Sequence, residues 1–460
     1  MRRLFLGLKY CIMRMCFYGI KYEMTFRKTY KRLKRSASQS REEHDKKQFE
    51  ELRALVRYAW ECCPYYRQLF DEKEINVQHF TWGEYAKIPY LTKDIVIKEG
   101  KKLLSDEFRE GQLEEHATGG STGIPTKFYF EKSLSDAVEQ AFVQNAYDMV
   151  GYKKWHRSVF FYGNMNFVTD QMAAKNCYWR RNHICNGLTF SSSHINRETI
   201  DFYTKRLQQF NPEWFVARPS AIYFLFKSLG NKIKTICPSL KGLIFMSEGL
   251  YDYQIKYFRN IYSGLKMMHV YGHTEHGCFA ATYDETMRYQ IYSEYGYSEF
   301  INSEGEAKEM VTTGFTNHVM PLIKYRTGDL FEGIDEVCEE TKDLPYHTFK
   351  NVIGRTQDVL VCSDNSYYTA VTLDFSDIDM SFFDMVLKYQ FIQQEKGSCE
   401  MLLVLNHQED FDRVCKMIDL YFNSKEHRLD INFKLVNDIN KSASGKERLI
   451  INESISLNDL

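Results

Sequence analysis

Apolar residues recur at helical spacing from residue 49 onwards. Phe49, Leu52, Val56 and Ala59 stand three or four positions apart, which is the spacing of one face of an α-helix. Pro64 follows soon after, and a proline both lacks a backbone N–H and restricts the residue before it. The pattern therefore predicts an amphipathic helix that ends or kinks at Pro64.

Short apolar runs separated by helix-length segments characterise the middle of the chain. Residues 158–163, 214–217 and 242–246 are such runs, and Gly, Pro or Ser stands at or just after the end of each. This alternation predicts an α/β body with mixed, partly parallel sheets. Ligands of such a body gather at the carboxyl ends of the strands.

The C-terminal residues have the pattern of a smaller, separate unit. Residues 401–405 are an apolar run, residues 411–421 repeat apolar positions at helical spacing, and residues 431–435 alternate as in a strand. We therefore expect the α/β fold class, with a large domain at 46–353 and a small α+β domain at 354–460.

Charge sets the first 45 residues apart as a basic helical leader. Residues 1–35 contain eleven Lys and Arg but a single acidic residue, Glu23. Apolar groups between the charges stay far shorter than the roughly 18 residues of a membrane span. Two interpretations remain open: an amphipathic helix in peripheral contact with an anionic membrane, or a basic segment packed on its own protein or loosely ordered.

Composition changes this picture little. A formal net charge of -1 gives no reason to expect nucleic acid as a partner. The twelve cysteines include no C-x-x-C pair, which favours reduced thiols in a cytoplasmic protein over a disulfide framework. Membrane contact through the leader would place the protein at the inner face of the membrane.

The segment 118–127 is the strongest local sign of chemistry. Its glycines allow backbone N–H groups to approach an anion, and its hydroxyls and Lys127 add donors for phosphate oxygens. The Walker A and dinucleotide-binding spacings both fail here, so a plain Gly/Ser/Thr-rich turn remains the alternative. The candidate phosphate ligands are Thr118, Gly119, Gly120, Ser121, Thr122 and Gly123.

Four further polar segments follow in a fixed order. They are Tyr271-Gly272-His273-Thr274-Glu275, Tyr325-Arg326-Thr327-Gly328-Asp329, Gly354-Arg355-Thr356-Gln357-Asp358 and Ser444-Gly445-Lys446. Each is weak alone, because Tyr-Gly and Gly-Asp turns are common and a surface lysine is usually just solvated. The ordered set is much more specific than any one member.

Together with the loop, these segments resemble the adenylate-forming superfamily of acyl-CoA synthetases and nonribosomal-peptide adenylation domains. Further segments make the chain similar to the phenylacetate-CoA ligase branch, including CapK-like proteins linked to capsular polysaccharide synthesis. Those segments are Val56-Arg57-Tyr58-Ala59, Cys63-Pro64-Tyr65-Tyr66-Arg67, Ile88-Pro89-Tyr90-Leu91-Thr92-Lys93, Asn317 and Met320-Pro321-Leu322-Ile323-Lys324. The resemblance covers roughly residues 50–450.

The resemblance implies that a carboxylic acid attacks the α-phosphorus of ATP to give acyl-AMP and pyrophosphate. It implies a nucleotide site made of this loop and further residues along the chain. Those residues are Ser247, Glu248, Tyr271 (stacking on adenine), Gly272, Thr274, Asp329 (accepting both ribose hydroxyls) and Arg355 (on the ribose or α-phosphate). Glu275 and Thr122 would hold Mg²⁺, and Lys446 would bridge the substrate carboxylate and the α-phosphate. Lys446, Glu275 and Arg355 are thus the implied catalytic residues. The resemblance also implies that the small C-terminal domain is a mobile lid.

The substrate pocket and the second step are less defined. Phe161, Tyr162, Phe215 and Arg218 lie between the motifs; the aromatics would accept an aryl acid or fill the core, and Arg218 would meet a second carboxylate. Coenzyme A is the expected acyl acceptor, with a component of surface-polysaccharide synthesis as another acceptor. Transfer of AMP itself, as in deazaflavin-adenylating synthetases, and a noncatalytic membrane-docked scaffold are the alternatives.

Three positions depart from the family pattern. Gly119 stands where serine is common, Ile124 where lysine is common, and Gln357 where an acidic residue often marks the hinge between domains.

Overall fold

A computed structural model shows how these segments fold. It describes residues 2–117, 126–162, 167–182, 185–192, 194–196, 198–282, 286–302, 307–336, 344–355, 359–364, 366–369, 373, 382, 385–424, 429–441 and 447–452.

The helices are α1 (Arg2–Tyr18), α2 (Ile20–Ser36), α3 (Arg41–Cys62), α4 (Pro64–Glu72), α5 (Trp82–Lys87), α6 (Lys93–Glu99), α7 (Leu134–Met149), α8 (Asp170–Ala173), α9 (Ile200–Phe210), α10 (Pro219–Leu229), α11 (Ile233–Ile236), α12 (Asp252–Ile261) and α13 (Phe411–Asn423). The strands up to β11 are β1 (Leu113–Ala117), β2 (Lys127–Glu131), β3 (Ser158–Tyr162), β4 (Trp179–Asn182), β5 (Gly187–Ser191), β6 (Trp214–Ala217), β7 (Gly242–Met246), β8 (Lys266–Gly272), β9 (Phe279–Thr282), β10 (Tyr289–Ile291) and β11 (Gly296–Asn302). The remaining strands are β12 (Lys308–Gly314), β13 (Tyr325–Glu332), β14 (Thr348–Phe349), β15 (Asn351–Arg355), β16 (Val359–Val361), β17 (Tyr367–Thr369), β18 (Val386–Glu395), β19 (Ser398–Leu405), β20 (Asp430–Leu435) and β21 (Ile450–Asn452).

The chain forms two compact units. Unit 1 comprises residues 1–155, 268–327 and 331–351, and unit 2 comprises residues 156–267, 328–330 and 352–460. The domain boundary between 353 and 354 stays a prediction.

Helix α3 in unit 1 confirms the first sequence pattern. Leu52, Val56 and Ala59 are buried on its inner face. A capping box starts the helix: the Ser40 hydroxyl accepts from the backbone N–H of Glu43, whose carboxylate accepts from the backbone N–H of Ser40. The helix ends at Cys62, and Pro64 occupies the first turn of α4, where a missing N–H costs nothing.

Three sets of paired strands lie in unit 1. β1 and β2 form an antiparallel hairpin. β9 pairs antiparallel with β8 and β10, and β10 with β14. β11 and β12 form a further antiparallel pair. A hydrophobic core joins α3 and α4 to the segment that leads into β13, where Ile323 is fully buried.

The basic leader is helical and lies against the body of unit 1. The inner face of α2 carries Tyr22 and Phe26, which pack on Ala137 and Ala141 of α7. Among the residues that the structure describes, no helix is long and apolar enough to cross a membrane.

The predicted parallel strands are confirmed in unit 2. β3 pairs in parallel with β5 and β6, and β6 pairs in parallel with β7. β4 adds antiparallel to β5. The carboxyl ends of β3, β6 and β7 therefore meet at one edge of the sheet.

The C-terminal pattern is also confirmed. β18 and β19 are antiparallel, and β20 and β21 add in parallel on either side of them. One face of α13 covers this sheet with Val414 and Ile418, both fully buried.

Two leucine-sized side chains on α13 provide a matched test of this core. Ile418 is 0% exposed and Leu420 is 71% exposed. We expect Ile418→Ala to destabilise the C-terminal part of unit 2 by about 2–5 kcal/mol, because it leaves a cavity. Leu420→Ala should change the stability by less than about 0.5 kcal/mol. Differential scanning calorimetry of both variants measures the difference, and equal effects would contradict the burial described here.

Asp148 gives the attachment of α2 to α7 a pH dependence. Its carboxylate accepts from the Tyr30 hydroxyl and pairs with Lys153 and, at 3.1 Å, with Lys34. Burial alone would raise the pKa of Asp148, but these donors outweigh it and lower the pKa. The stabilisation is therefore present above the unfolded-state pKa and is lost as the pH falls through the folded-state pKa.

We expect Asp148→Asn to lower the stability of unit 1 at neutral pH by about 2 kcal/mol. The difference from the wild type should shrink as the solution is acidified. Thermal unfolding followed by circular dichroism over a pH series measures it, with the exposed Asp94→Asn as control. A difference that stays constant with pH would contradict the ion-pair explanation.

Candidate active site

The carboxyl ends of β6 and β7 bring together two residues that the sequence assigns to different tasks. Arg218 directly follows β6, and Glu248 lies just beyond β7. The Arg218 Nε is 3.8 Å from the Glu248 Oε1, and both side chains are largely buried. The backbone N–H of Ser220 donates to the other carboxylate oxygen at 3.3 Å. Arg218, predicted for the substrate pocket, and Glu248, predicted for the nucleotide site, therefore form an ion pair.

Glu248 also contacts the C-terminal part of unit 2. The backbone N–H of Glu447 donates to its Oε1 at 3.2 Å. Burial and then the negative charge of Glu447 raise the pKa of Glu248, against the opposing effects of Ser220 and Arg218. One carboxylate thus receives donors from two separate segments of unit 2.

A second cluster fixes the side chain of Glu447. The ammonium group of Lys388 on β18 lies 2.7 Å from Glu447 and 2.9 Å from Asp438, and 5.2 Å from the centre of the Phe224 ring. Burial would lower the pKa of Lys388, but the two carboxylates raise it. Lys441 pairs with the same two carboxylates, at 2.8 Å from Asp438 and 3.5 Å from Glu447. Lys441 and Glu447, which flank residues 442–446, are therefore both held by ion pairs.

The aromatic residues of the predicted pocket pack into the sheet. Phe161 on β3 makes edge-to-face contacts with Phe215 on β6 at 6.0 Å and with Phe190 on β5 at 5.6 Å between ring centres. Phe215 is fully buried. This packing favours the core interpretation for Phe215. Tyr162 ends β3, and its side chain lies outside the described set.

Glu275 in unit 1 is held at the turn after β8. Its carboxylate lies 3.1 Å from the His273 Nδ1 and accepts from the Tyr325 hydroxyl at 3.3 Å. No group of three or more His, Cys, Asp and Glu that could hold a metal occurs among the described residues. Mg²⁺ takes many of its ligands from water and phosphate and needs only one or two carboxylates, so Glu275 fits the metal role implied for it.

Tyr271 is fixed by aromatic neighbours in unit 1. Its ring meets Phe331 and Phe349 edge-on, at 5.3 Å and 6.0 Å between centres, and is nearly buried. Gly272 next to it is exposed, and Thr274 is half-buried. These contacts set the plane of the Tyr271 ring, while its stacking on adenine stays a prediction.

The other predicted nucleotide residues have different surroundings. Asp329 of β13, which belongs to unit 2, is buried. Ser247 is exposed and has a φ of 69°, in the left-handed region. Lys127, considered as a phosphate donor, lies 3.0 Å from Glu115 across the β1–β2 hairpin. The structure thus gives Lys127 a carboxylate partner of its own.

Several predicted residues lie outside the described part of the chain, so their roles stay predictions. They are Thr118, Gly119, Gly120, Ser121, Thr122, Gly123 and Lys446, and the side chain of Arg355 at the end of β15.

Sequence reasoning missed the pairing of Arg326 beside the predicted site. Its guanidinium Nε donates to both carboxylate oxygens of Glu309 on β12 at 3.1 Å. This bond raises the pKa of Arg326. Only the pairing of β12 with its neighbours brings these two positions together, and no local motif indicates that register.

Comparison with known proteins finds two kinds of relatives. Residues 369–453 match the family described as the CapK C-terminal domain. The chain is 24% identical to the protein CapK of Staphylococcus aureus over 84% of this chain and 84% of that protein. It is 23% identical to the phenylacetate-coenzyme A ligase of Thermus thermophilus over 77% of this chain and 79% of the ligase. Over these lengths the chain is similar both to CapK and to phenylacetate-coenzyme A ligases.

Solved structures give the adenylate-forming fold independently. A 2-hydroxyisobutyryl-CoA ligase in the postadenylation state, in complex with R3-HIB-AMP, matches with a TM-score of 0.64 at 14% identity over 91% of both chains. The GH3.15 acyl acid amido synthetase matches with a TM-score of 0.55 at 14% identity over 89% of this chain and 91% of that one. These matches confirm the predicted α/β fold with its C-terminal domain.

The ion pairs of Lys388 lead to a stability prediction. Replacing one partner of a buried pair leaves the remaining charges uncompensated, so we expect Lys388→Met to destabilise unit 2 by about 3 kcal/mol. Lys434→Met is the control, because Lys434 is exposed and lies 3.4 Å from Glu400. Adding Glu447→Gln to Lys388→Met should recover part of the loss. Calorimetry that finds equal effects for the two lysine variants would contradict the assignment.

Proposed function

We propose that this protein activates a carboxylic acid with ATP, forming an acyl-AMP and releasing pyrophosphate, and then transfers the acyl group to coenzyme A. The main support is that the chain aligns with most of the length of a phenylacetate-coenzyme A ligase while having the adenylate-forming fold. Two of the polar segments that prompted the resemblance, 271–275 and 325–329, are described in this fold.

The first step brings together two anions, a carboxylate and a triphosphate. The site therefore has to neutralise charge and orient the reactants more than it has to supply an acid or a base. Lys446 would bridge the substrate carboxylate and the α-phosphate and stabilise the charge that develops between them. The segment 118–123 would bind the β- and γ-phosphates that leave as pyrophosphate.

Glu275 is the residue that would hold Mg²⁺, together with Thr122. When bound, Mg²⁺ neutralises phosphate charge and orients the polyphosphate. In this chain, the contacts from His273 and Tyr325 keep the Glu275 carboxylate in one orientation. These two contacts support a role in which the Glu275 carboxylate would already be oriented when the nucleotide binds.

Arg218 beside Glu248 bears on the choice of acid. The Arg218 guanidinium lies at the carboxyl end of β6 and is largely buried, and its charge is already offset by the Glu248 carboxylate, so it would attract a second carboxylate less strongly than an isolated guanidinium. We therefore propose a monocarboxylic acid as the substrate class. A link to surface-polysaccharide synthesis rests on the likeness to CapK.

Release of pyrophosphate from the purified full-length protein tests the proposal. We expect release that depends on ATP, Mg²⁺ and one or a few monocarboxylic acids from a broad panel. Lys446→Ala should lower kcat by roughly 10²–10³-fold, as loss of a group that stabilises transition-state charge does. Lys205→Ala on the exposed face of α9 is the control and should keep full activity.

Analysis of the products distinguishes acyl transfer to coenzyme A from transfer of AMP to an acceptor. Mass spectrometry should find an acyl-CoA thioester when coenzyme A is supplied. A stable adenylyl adduct on an acceptor would instead show transfer of AMP itself. Well-folded protein that binds ATP but releases no pyrophosphate with any acid in the panel would favour the noncatalytic scaffold and overturn the proposal.

A further inference from the structure

Exposed apolar side chains are concentrated at one corner of unit 1. Ten large hydrophobic residues of the described chain are exposed, and five of them fall between residues 12 and 24. Phe17, one residue before the end of α1, is 60% exposed, and Ile20 and Met24 in the first two turns of α2 are 68% and 66% exposed. Scattered single residues of this kind are ordinary on a protein surface, but a cluster at one helix junction marks an interaction site.

The same corner has no exposed negative charge of its own. Glu23, the single acidic residue among the first 35, is buried between Arg14 at 2.7 Å and Arg27 at 2.7 Å. Burial would raise its pKa, but the hydrogen bonds from the two guanidinium groups lower it. Glu23 therefore stays ionised and serves as an internal counter-ion for Arg14 and Arg27.

Internal packing holds α1 and α2 together as a hairpin. The guanidinium group of Arg14 spans both oxygens of Glu23 and lies 4.3 Å from the centre of the Phe26 ring. Tyr18 stacks on Tyr22 at 4.6 Å between ring centres. These contacts fix the junction relative to α2, whose inner face packs on α7. The exposed residues Phe17, Ile20 and Met24 are therefore part of a helical hairpin that is packed on α7.

The outer face of α2 divides into two zones along its length. Ile20 and Met24 are one helical turn apart at its start. Lys28, Lys31 and Arg35 continue the same side toward its end, and all three are exposed. An apolar tip followed by a row of basic residues is the pattern of a segment that lies in a lipid interface and meets anionic headgroups.

We propose that the α1–α2 junction, with Phe17, Ile20 and Met24 inserted and Lys28, Lys31 and Arg35 around them, docks on an anionic phospholipid membrane. Charge complementarity selects this partner, because the basic row adds nothing to contact with a neutral apolar surface. A nucleic acid would leave the apolar tip unused. A second copy of the junction would bring its basic row against another basic row.

Flotation of the full-length protein with vesicles tests the proposal. One set contains phosphatidylcholine alone, and the other contains equal parts of phosphatidylcholine and phosphatidylglycerol. We expect binding to the anionic set that weakens as salt is added. The neutralising variant Lys28→Gln/Lys31→Gln/Arg35→Gln should bind roughly 10²-fold more weakly, at about fivefold for each charge.

The apolar variant Phe17→Ser/Ile20→Ser/Met24→Ser should also lose most of the binding, at least about tenfold. Leu420→Ser with Lys416→Gln, both on the exposed face of α13, is the matched control and should bind like the wild type. Circular dichroism melts verify that each variant is folded, and the measurement needs no turnover, so it is independent of the proposed reaction.

Three results would overturn the proposal. They are no binding to the anionic vesicles, equal binding to both sets, or binding that the two variants leave unchanged. A fourth is a dimer in light scattering that the apolar variant dissociates, because it would assign the junction to contact between copies of the chain.

Discussion

The carboxylate of Glu248 contacts two separate parts of unit 2, the parallel sheet and the C-terminal segment. It lies beyond the carboxyl end of β7, next to Arg218 from the neighbouring parallel strand, and it accepts from the backbone N–H of Glu447. Burial and the nearby charge of Glu447 raise its pKa, so the group remains ionised only at a cost in free energy. The arrangement joins the parallel sheet to the C-terminal domain through charges rather than through apolar packing alone.

Charged and hydrogen-bonded contacts are specific in direction, so they determine which groups meet at this junction. The ion pairs of Lys388 with Asp438 and Glu447 order its C-terminal side.

Sequence patterns were sufficient for the elements and for the fold class. The spacing of Leu52, Val56 and Ala59 predicted α3, and Pro64 marked its end, because local periodicity and proline geometry act within a few residues. Short apolar runs predicted β3, β6 and β7. Their identification as neighbouring parallel strands in unit 2 needed the structure.

The pairings at the site depend on which strands are neighbours, which a sequence does not state. The sequence indicated Arg218 for the substrate pocket and Glu248 for the nucleotide site. Only the adjacency of β6 and β7 makes them partners. Lys388 was not selected at all, since a single lysine in the first residues of a strand has no local signature. Its importance comes from Asp438 and Glu447, about fifty residues away along the chain.

In the proposed reaction a carboxylic acid attacks the α-phosphorus of ATP. Heavy-oxygen label in the carboxylate of the accepted acid tests this step directly, with mass spectrometry of the nucleotide released after thioester formation. We expect AMP to carry one labelled oxygen, because the carboxylate oxygen bonded to phosphorus leaves with it. Unlabelled AMP, or label in inorganic phosphate together with ADP, would contradict it.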